Sequence, residues 1–166
     1  MNAVVLSALE VFPGQLEQMF AMIPAGHLHW KPASWDGVPS EMLNPIEQIC
    51  HVRDIEVLGY QVRFARMLEE DNPLLASVES YDLIESGDYA HQDPAAIFAD
   101  IRRSRAQTVA LLRGVNEAQL RRTGSFEGYG PVTLKSLIHY LCSHDQQHLA
   151  GLQWLLGKID SAALPQ

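Results

Sequence analysis

The chain has 166 residues, 47% of them hydrophobic and 19% charged, a balance that fits one globular domain with a sizeable core and excludes a disordered polymer. Its net charge of -8 is wrong for a protein that neutralises nucleic-acid phosphates or sits on a membrane through a polybasic patch. No apolar run approaches the roughly 18 residues of a membrane span, and MNAVVLSALEVFPG, with Glu10 and no basic start, does not read as a signal peptide.

The expected elements are helical almost throughout. In FPGQLEQMFAMIP, Pro13 is placed to open a helix, and Leu16, Met19, Phe20 and Ile23 recur at helical spacing. AVVLSALEV before it reads as a separate turn or two. A connection rich in Pro and Trp follows, PAGHLHWKPASWDGVPSEMLNP, too punctuated for regular structure. The second long helix opens at Asn44-Pro45, a good cap with Pro at the first position, and runs through IEQICHVRDIEVLGYQVRFARMLEE to stop before Asn72-Pro73. Its apolar residues fall on two sides, so it should be buried against more than one neighbour.

The third helix opens at Asp93-Pro94, carries Ile97, Ile101, Thr108, Leu111 and Leu112 on one stripe, and ends at Gly114. A short NEAQL turn and the glycine-rich TGSFEGYGPV lead to the fourth, capped by Thr133 and running through LKSLIHYLCSHDQQHLAGLQWLLG. No long alternating pattern appears; Thr123 to Pro131 has room for a small hairpin, but the expectation is not built on one. The class is all-α: four principal helices with two long connections, a bundle whose pairings are not all between sequence neighbours.

The chemistry lies in the histidines. At about 100° per residue, Leu137, Leu141, His144, His148, Leu152 and Leu155 share one stripe of the fourth helix. One histidine there is more often a core residue bonded to a carbonyl, but two at i, i+4 lie on adjacent turns of one face and can share a cation. A third ligand must come from elsewhere, and His51 is the best candidate, on a face with Ile55, Leu58 and Val62. Three histidines from two helices leave positions open for water or substrate, as in catalytic rather than structural sites. Imidazole suits Zn, Ni, Cu and Fe.

The remaining histidines fit less well. His139 is rotated away from His144 and His148, His27 and His29 lie in the irregular connection, and His91 reads as surface. Asp54 and Glu47 flank His51 by one turn and are candidates to orient an imidazole, against the commoner reading as exposed carboxylates. Asp145 and Gln147 read as surface residues. Arg63, Arg66 and Arg105 could meet a substrate carboxylate; solvated faces with ion pairs are the better-supported reading. Trp30, Trp35, Tyr60 and Tyr89 are read as core first and pocket lining second. Cys50 and Cys142, without CxxC spacing, read as buried thiols of a reduced, cytoplasmic protein.

Other templates fail. Residues 144 to 148 read H-D-x-x-H, a near miss to the zinc-peptidase motif, with Asp145 one methylene short of the usual Glu. Paired Glu-x-x-His motifs of a di-iron bundle are absent, as are a G-x-S-x-G elbow and a phosphate loop.

LNPIEQICHVRDIEVLGYQVRFARMLEEDNP, WDGVPSEMLNP ahead of it, YAHQDP before the third helix, and GPVTLKSLIHYLCSHDQQHLAGL together resemble the DinB-like family of four-helix-bundle metalloenzymes. The resemblance covers most of the chain. It implies an up-down-down-up bundle, often a homodimer, with one divalent metal, Zn or Ni first and Fe or Mn as further choices, held by His51, His144 and His148. Membership by itself does not pass on a substrate; the expected partner is a small molecule, with neither nucleic acid nor membrane. Some members are transferases or isomerases that use a low-molecular-weight thiol, whose pKa the metal lowers. The expected function is thus a metal-dependent enzyme, a thiol-dependent S-transferase first, with two alternatives: a metal-dependent hydrolase, or a non-catalytic bundle whose metal is structural or regulatory.

Overall fold

Pro13 does not open the first helix; it sits inside it. In the computed structural model, which describes residues 3–163 (backbone only at Ser80), α1 spans Ala3–Phe20 without a break. A proline there offers no N–H to the carbonyl four residues back. That carbonyl, Leu9 O, instead accepts a hydrogen bond from Arg105 Nη1 at 3.0 Å. The freed acceptor is satisfied from another helix, so the proline is tolerated where the sequence suggested a start. The first two residues of the N-terminal stretch lie outside the described residues.

The second long helix is one rod with a fault in the middle. It consists of α2 (Pro45–Asp54), a π-helical turn (Ile55–Tyr60) and α3 (Gln61–Glu69). Asn44 caps it by a reciprocal pair of bonds: its side chain accepts from Glu47 N at 3.0 Å, and the Glu47 carboxylate accepts from Asn44 N at 2.8 Å. In the π turn the Gln61 N–H reaches back five residues, to Glu56 O. The extra residue rotates everything after it. Leu58 and Val62, expected on the His51 face, are therefore 50% and 48% exposed, while Arg63, Phe64 and Met67 turn inward.

β1 (Leu74–Leu75), α4 (Ser80–Ser86) and α5 (Pro94–Arg113) follow. Asp93 caps α5 by accepting from Ala95 N and Ala96 N, and Gly114 ends it. Ile97, Ile101, Thr108 and Leu112 are buried as expected, but Leu111 lies on the outer side. α6 (Glu117–Leu120) is the NEAQL turn. The glycine-rich link does form a hairpin, β2 (Thr123–Phe126) and β3 (Gly130–Thr133), with Gly128 at φ 79° and Gly130 at φ 78°, where side chains are disfavoured. β1 pairs parallel to β2 and β2 antiparallel to β3. Among the described residues these three short strands make the only sheet. α7 (Leu134–Ala162) carries the other histidines and is capped by Thr133, whose side chain accepts from Ser136 N at 3.1 Å.

Ion pairs of Arg113 with Glu10 and of Arg102 with Glu17 (2.5 Å) run α1 antiparallel to α5. Bonds from Arg53 to Gln92 and from Gln61 to Ser104 run the α2–α3 rod parallel to α5. Met67 clusters with Leu134, and Ile49 with Leu152, so α7 runs antiparallel to the rod. The four-helix bundle is thus up-down-down-up. Its apolar core divides into two clusters, one around Phe64, Leu137 and Leu141 and the other around Phe12, Ile49 and Leu152. Polar side chains buried at mid-height separate them: His51, Glu56, Arg105, Asp145 and His148. Among the described residues no helix is long and apolar enough to cross a membrane.

Candidate metal centre

The antiparallel crossing of α2 and α7 brings all three expected histidines together. His51 lies one turn before the π fault, and His144 and His148 lie on successive turns of α7. His144 Nε2 is 3.1 Å from His51 Nε2 and 3.1 Å from His148 Nε2. Two nitrogens that share one ion at about 2.0–2.1 Å stand roughly 3.0–3.4 Å apart, so the spacing suits a common cation. His51 and His148 are fully enclosed, while His144 keeps an edge toward solvent.

A fourth group completes the cluster. Glu41, from the irregular connection, places Oε1 3.7 Å from His51 Nε2 and Oε2 3.5 Å from His148 Nε2. One ligand atom from each of the four residues lies within 4.8 Å of every other. Glu41 Oε2 is buried and has no hydrogen-bond partner. An unpartnered buried carboxylate oxygen facing three imidazole nitrogens is costly unless positive charge sits among them.

Electrostatics point the same way. Burial pushes His144 and His148 well below the ordinary histidine range, and neighbouring imidazoles add to it. Burial also lowers His51, with Glu41 and Asp54 opposing. The imidazoles are therefore neutral near pH 7 and present lone pairs, the form that binds metals.

Neither of the two carboxylates that are candidates to orient an imidazole does so, and neither is an exposed carboxylate. Asp54 pairs with Arg53 (2.7 Å) and accepts from Tyr89 Oη (2.7 Å), while Glu47 caps its helix and meets Lys31 Nζ at 3.0 Å. Gln48 takes the role instead: its Oε1 is hydrogen-bonded to His148 Nδ1.

Asp145 and Arg105 are not solvated surface groups. Arg105 Nη1 and Nη2 meet the two Asp145 oxygens at 2.7 and 2.8 Å, and Nε meets both Glu56 oxygens at 2.9 Å. The guanidinium also lies 4.8 Å from the Phe12 ring. This buried network ties all four principal helices together beside the histidines. Burial pushes Asp145 above the ordinary carboxylate range, with Arg105 pulling the other way. Gln147 is exposed as expected.

Arg63 is buried with its Nε and Nη2 on Ala76 O at 3.1 and 2.9 Å, and it stacks on Phe126 at 4.4 Å. Arg66 pairs with Glu70 at 2.7 Å. Tyr89 is core, Trp35 stacks on Trp154 at 5.9 Å, and the Tyr60 ring lies 6.0 Å from that of His144. Trp30 is partly buried, with its ring 6.1 Å from that of His27. His29, His91 and His139 are exposed, and His27 is half-buried away from the cluster. Cys50 is buried and Cys142 half-buried; burial pushes their thiols up to about 12 and about 11.

Sequence reasoning missed Glu41 and Gln48. Gln48 had a legible signal, since three residues before His51 is a helix neighbour just as four residues before is. Glu41 had none, because loop geometry brings it in.

Among solved structures the fold is similar to that of YfiT from Bacillus subtilis, described as a probable metal-dependent hydrolase with an unusual four-helix bundle topology. The TM-score is 0.82 and the identity 20%, over 96% of this chain and 90% of that one. No curated protein matches the chain. The sequence pattern of the DinB superfamily matches residues 8–152, a span that contains Glu41, Gln48 and all three clustered histidines, and the chain belongs to that superfamily.

Proposed function

We propose that this protein is a metal-dependent enzyme in which His51, His144 and His148 hold one divalent ion, Zn or Ni before Fe or Mn, and that it hydrolyses a small-molecule substrate. The observation that carries this reading is the convergence of three neutral imidazoles, with His144 Nε2 3.1 Å from the Nε2 of His51 and of His148, beside an unpartnered Glu41 oxygen. A divalent ion bound there supplies Lewis acidity, lowering the pKa of a coordinated water or thiol toward neutrality. Gln48 bonds His148, and His144, half-buried, is the least enclosed of the three histidines. Glu41, partly exposed beside His51 and His148, is placed to accept a proton from the attacking group. The description of YfiT as a probable metal-dependent hydrolase supports this assignment.

The thiol-dependent S-transferase reading uses the same ion. Cys50 and Cys142 stand outside the cluster, so a thiol would arrive as a co-substrate. A reduced, cytoplasmic setting and a homodimer belong to the same proposal, the second checked by light scattering.

Metal content of tag-free protein, followed by metal-loaded assays on ester and amide panels and on thiol plus electrophile panels, tests the reading. About one ion per chain with turnover of esters or amides supports it. Turnover only with added thiol replaces hydrolysis by transfer. A protein that binds neither zinc nor nickel overturns it.

A further inference from the structure

We propose that Gln48 is a positioning residue that joins the metal centre to the Glu41 loop, with its carbonyl setting the tautomer of His148 and its amide nitrogen anchoring Ser40. The proposal rests on the reading that the three histidines hold an ion, but its two halves can be tested apart.

Gln48 is fully buried, so each of its polar atoms needs a partner. Its Nε2 donates to Ser40 Oγ at 2.9 Å and lies 3.4 Å from Leu43 O, two acceptors that account for both amide hydrogens. Oε1 is thereby turned toward His148 Nδ1. A nitrogen facing a carbonyl oxygen carries the hydrogen, so His148 Nε2 is left as a lone pair directed at His144 and His51. Ser40 Oγ in turn donates to Glu41 O at 3.2 Å. The chain of bonds thus runs from the imidazole on α7, through a side chain of α2, to the backbone of the residue that presents the carboxylate.

Gly151 shows that this contact is built into α7 as well. A Cβ there would stand 2.4 Å from Ser40 Oγ and 2.9 Å from Gln48 Nε2. The loop presses onto α7 one turn beyond His148, at a position where only glycine leaves room. Each end of Gln48 therefore has its own consequence: loss of the carbonyl frees the His148 tautomer, and loss of the amide nitrogen releases the loop.

Zinc affinity by competition with a chromophoric chelator, the visible band of the cobalt-loaded protein, and hydrogen exchange of the Leu43 N–H, which bonds Glu41 O at 2.8 Å, separate these consequences in the full chain. Gln48→Leu should weaken zinc binding about 10- to 100-fold, the usual loss when a ligand histidine is stripped of its partner. Gln48→Glu keeps an acceptor at His148, so it should bind zinc as tightly as wild type or tighter, with an unchanged cobalt band. Because it lacks the donor to Ser40, it should exchange Leu43 N–H faster, as should Gly151→Ala. A folded Gln48→Leu with wild-type affinity, or a tenfold loss in Gln48→Glu, overturns the tautomer role. Unchanged exchange in both Gln48→Glu and Gly151→Ala overturns the anchor. A wild type that binds no zinc, nickel or cobalt sinks the metal reading and the tautomer role with it, while the exchange result still decides the anchor.

Discussion

Arg105 and Asp145 form a two-point ion pair in the middle of the bundle, and Asp145 is the residue next to His144. Glu56, on the π turn, occupies the third side of the same guanidinium. Removing one partner of a buried pair leaves charge without compensation and costs about 3–5 kcal/mol. Arg105→Met strands two carboxylates, so it should destabilise more than Asp145→Asn, which strands none. Urea unfolding of both variants checks the order. A loss below about 1 kcal/mol for Arg105→Met would show that the network is not closed in solution.

Metal should stabilise the folded state. An ion that binds only the native chain adds about 2.7 kcal/mol at a hundredfold excess over Kd. The melting temperature of wild type should therefore rise with added zinc or nickel, while the His144→Ala/His148→Ala double variant should show no rise. Equal shifts in the two proteins would place the binding elsewhere.

The π turn makes a contrast within one helix. Leu58→Ser and Val62→Ser should each change stability by no more than about 0.5 kcal/mol, because both side chains face outward. Phe64→Ala should cost about 3–5 kcal/mol, since Phe64 is fully buried. Denaturant midpoints decide the matter: an unbroken α-helical register would bring Leu58 and Val62 inside and make the two serine variants severe.

Two glycines should respond oppositely to the same change. A Cβ on Gly124 would meet Met67 Sδ at 2.6 Å and Pro73 O at 3.0 Å, so Gly124→Ala should lose about 1–3 kcal/mol through overpacking where β2 passes α3. Gly157 lies inside α7 with open space around it, and Gly157→Ala should gain up to about 1 kcal/mol from helix propensity. Thermal unfolding of the pair tests both signs.

Capping chemistry and helical periodicity made much of the bundle legible in the sequence. Asn44-Pro45, Asp93-Pro94 and Thr133 open their helices because each offers a side-chain oxygen to orphan backbone donors, a local property of a few residues. His144 and His148 were legible as a pair because four residues make about one turn of any helix. His51 was legible as a residue of the inner stripe, but its meeting with the pair depends on the crossing of α2 and α7. Only the tertiary structure decided the rest. Pro13 stays inside α1 because a guanidinium from α5 takes the carbonyl it frees. Leu58 and Val62 face out because one extra residue is wound into the π turn. Asp145 and Arg105 look like ordinary surface charges until each supplies the other's counter-charge in the interior. Glu41 reaches the histidines through a loop held by Ser40, Gln48 and a bare glycine. Caps and periodicity act between residues a turn apart, whereas each of these features depends on a partner in another element or on a winding that local preference does not record.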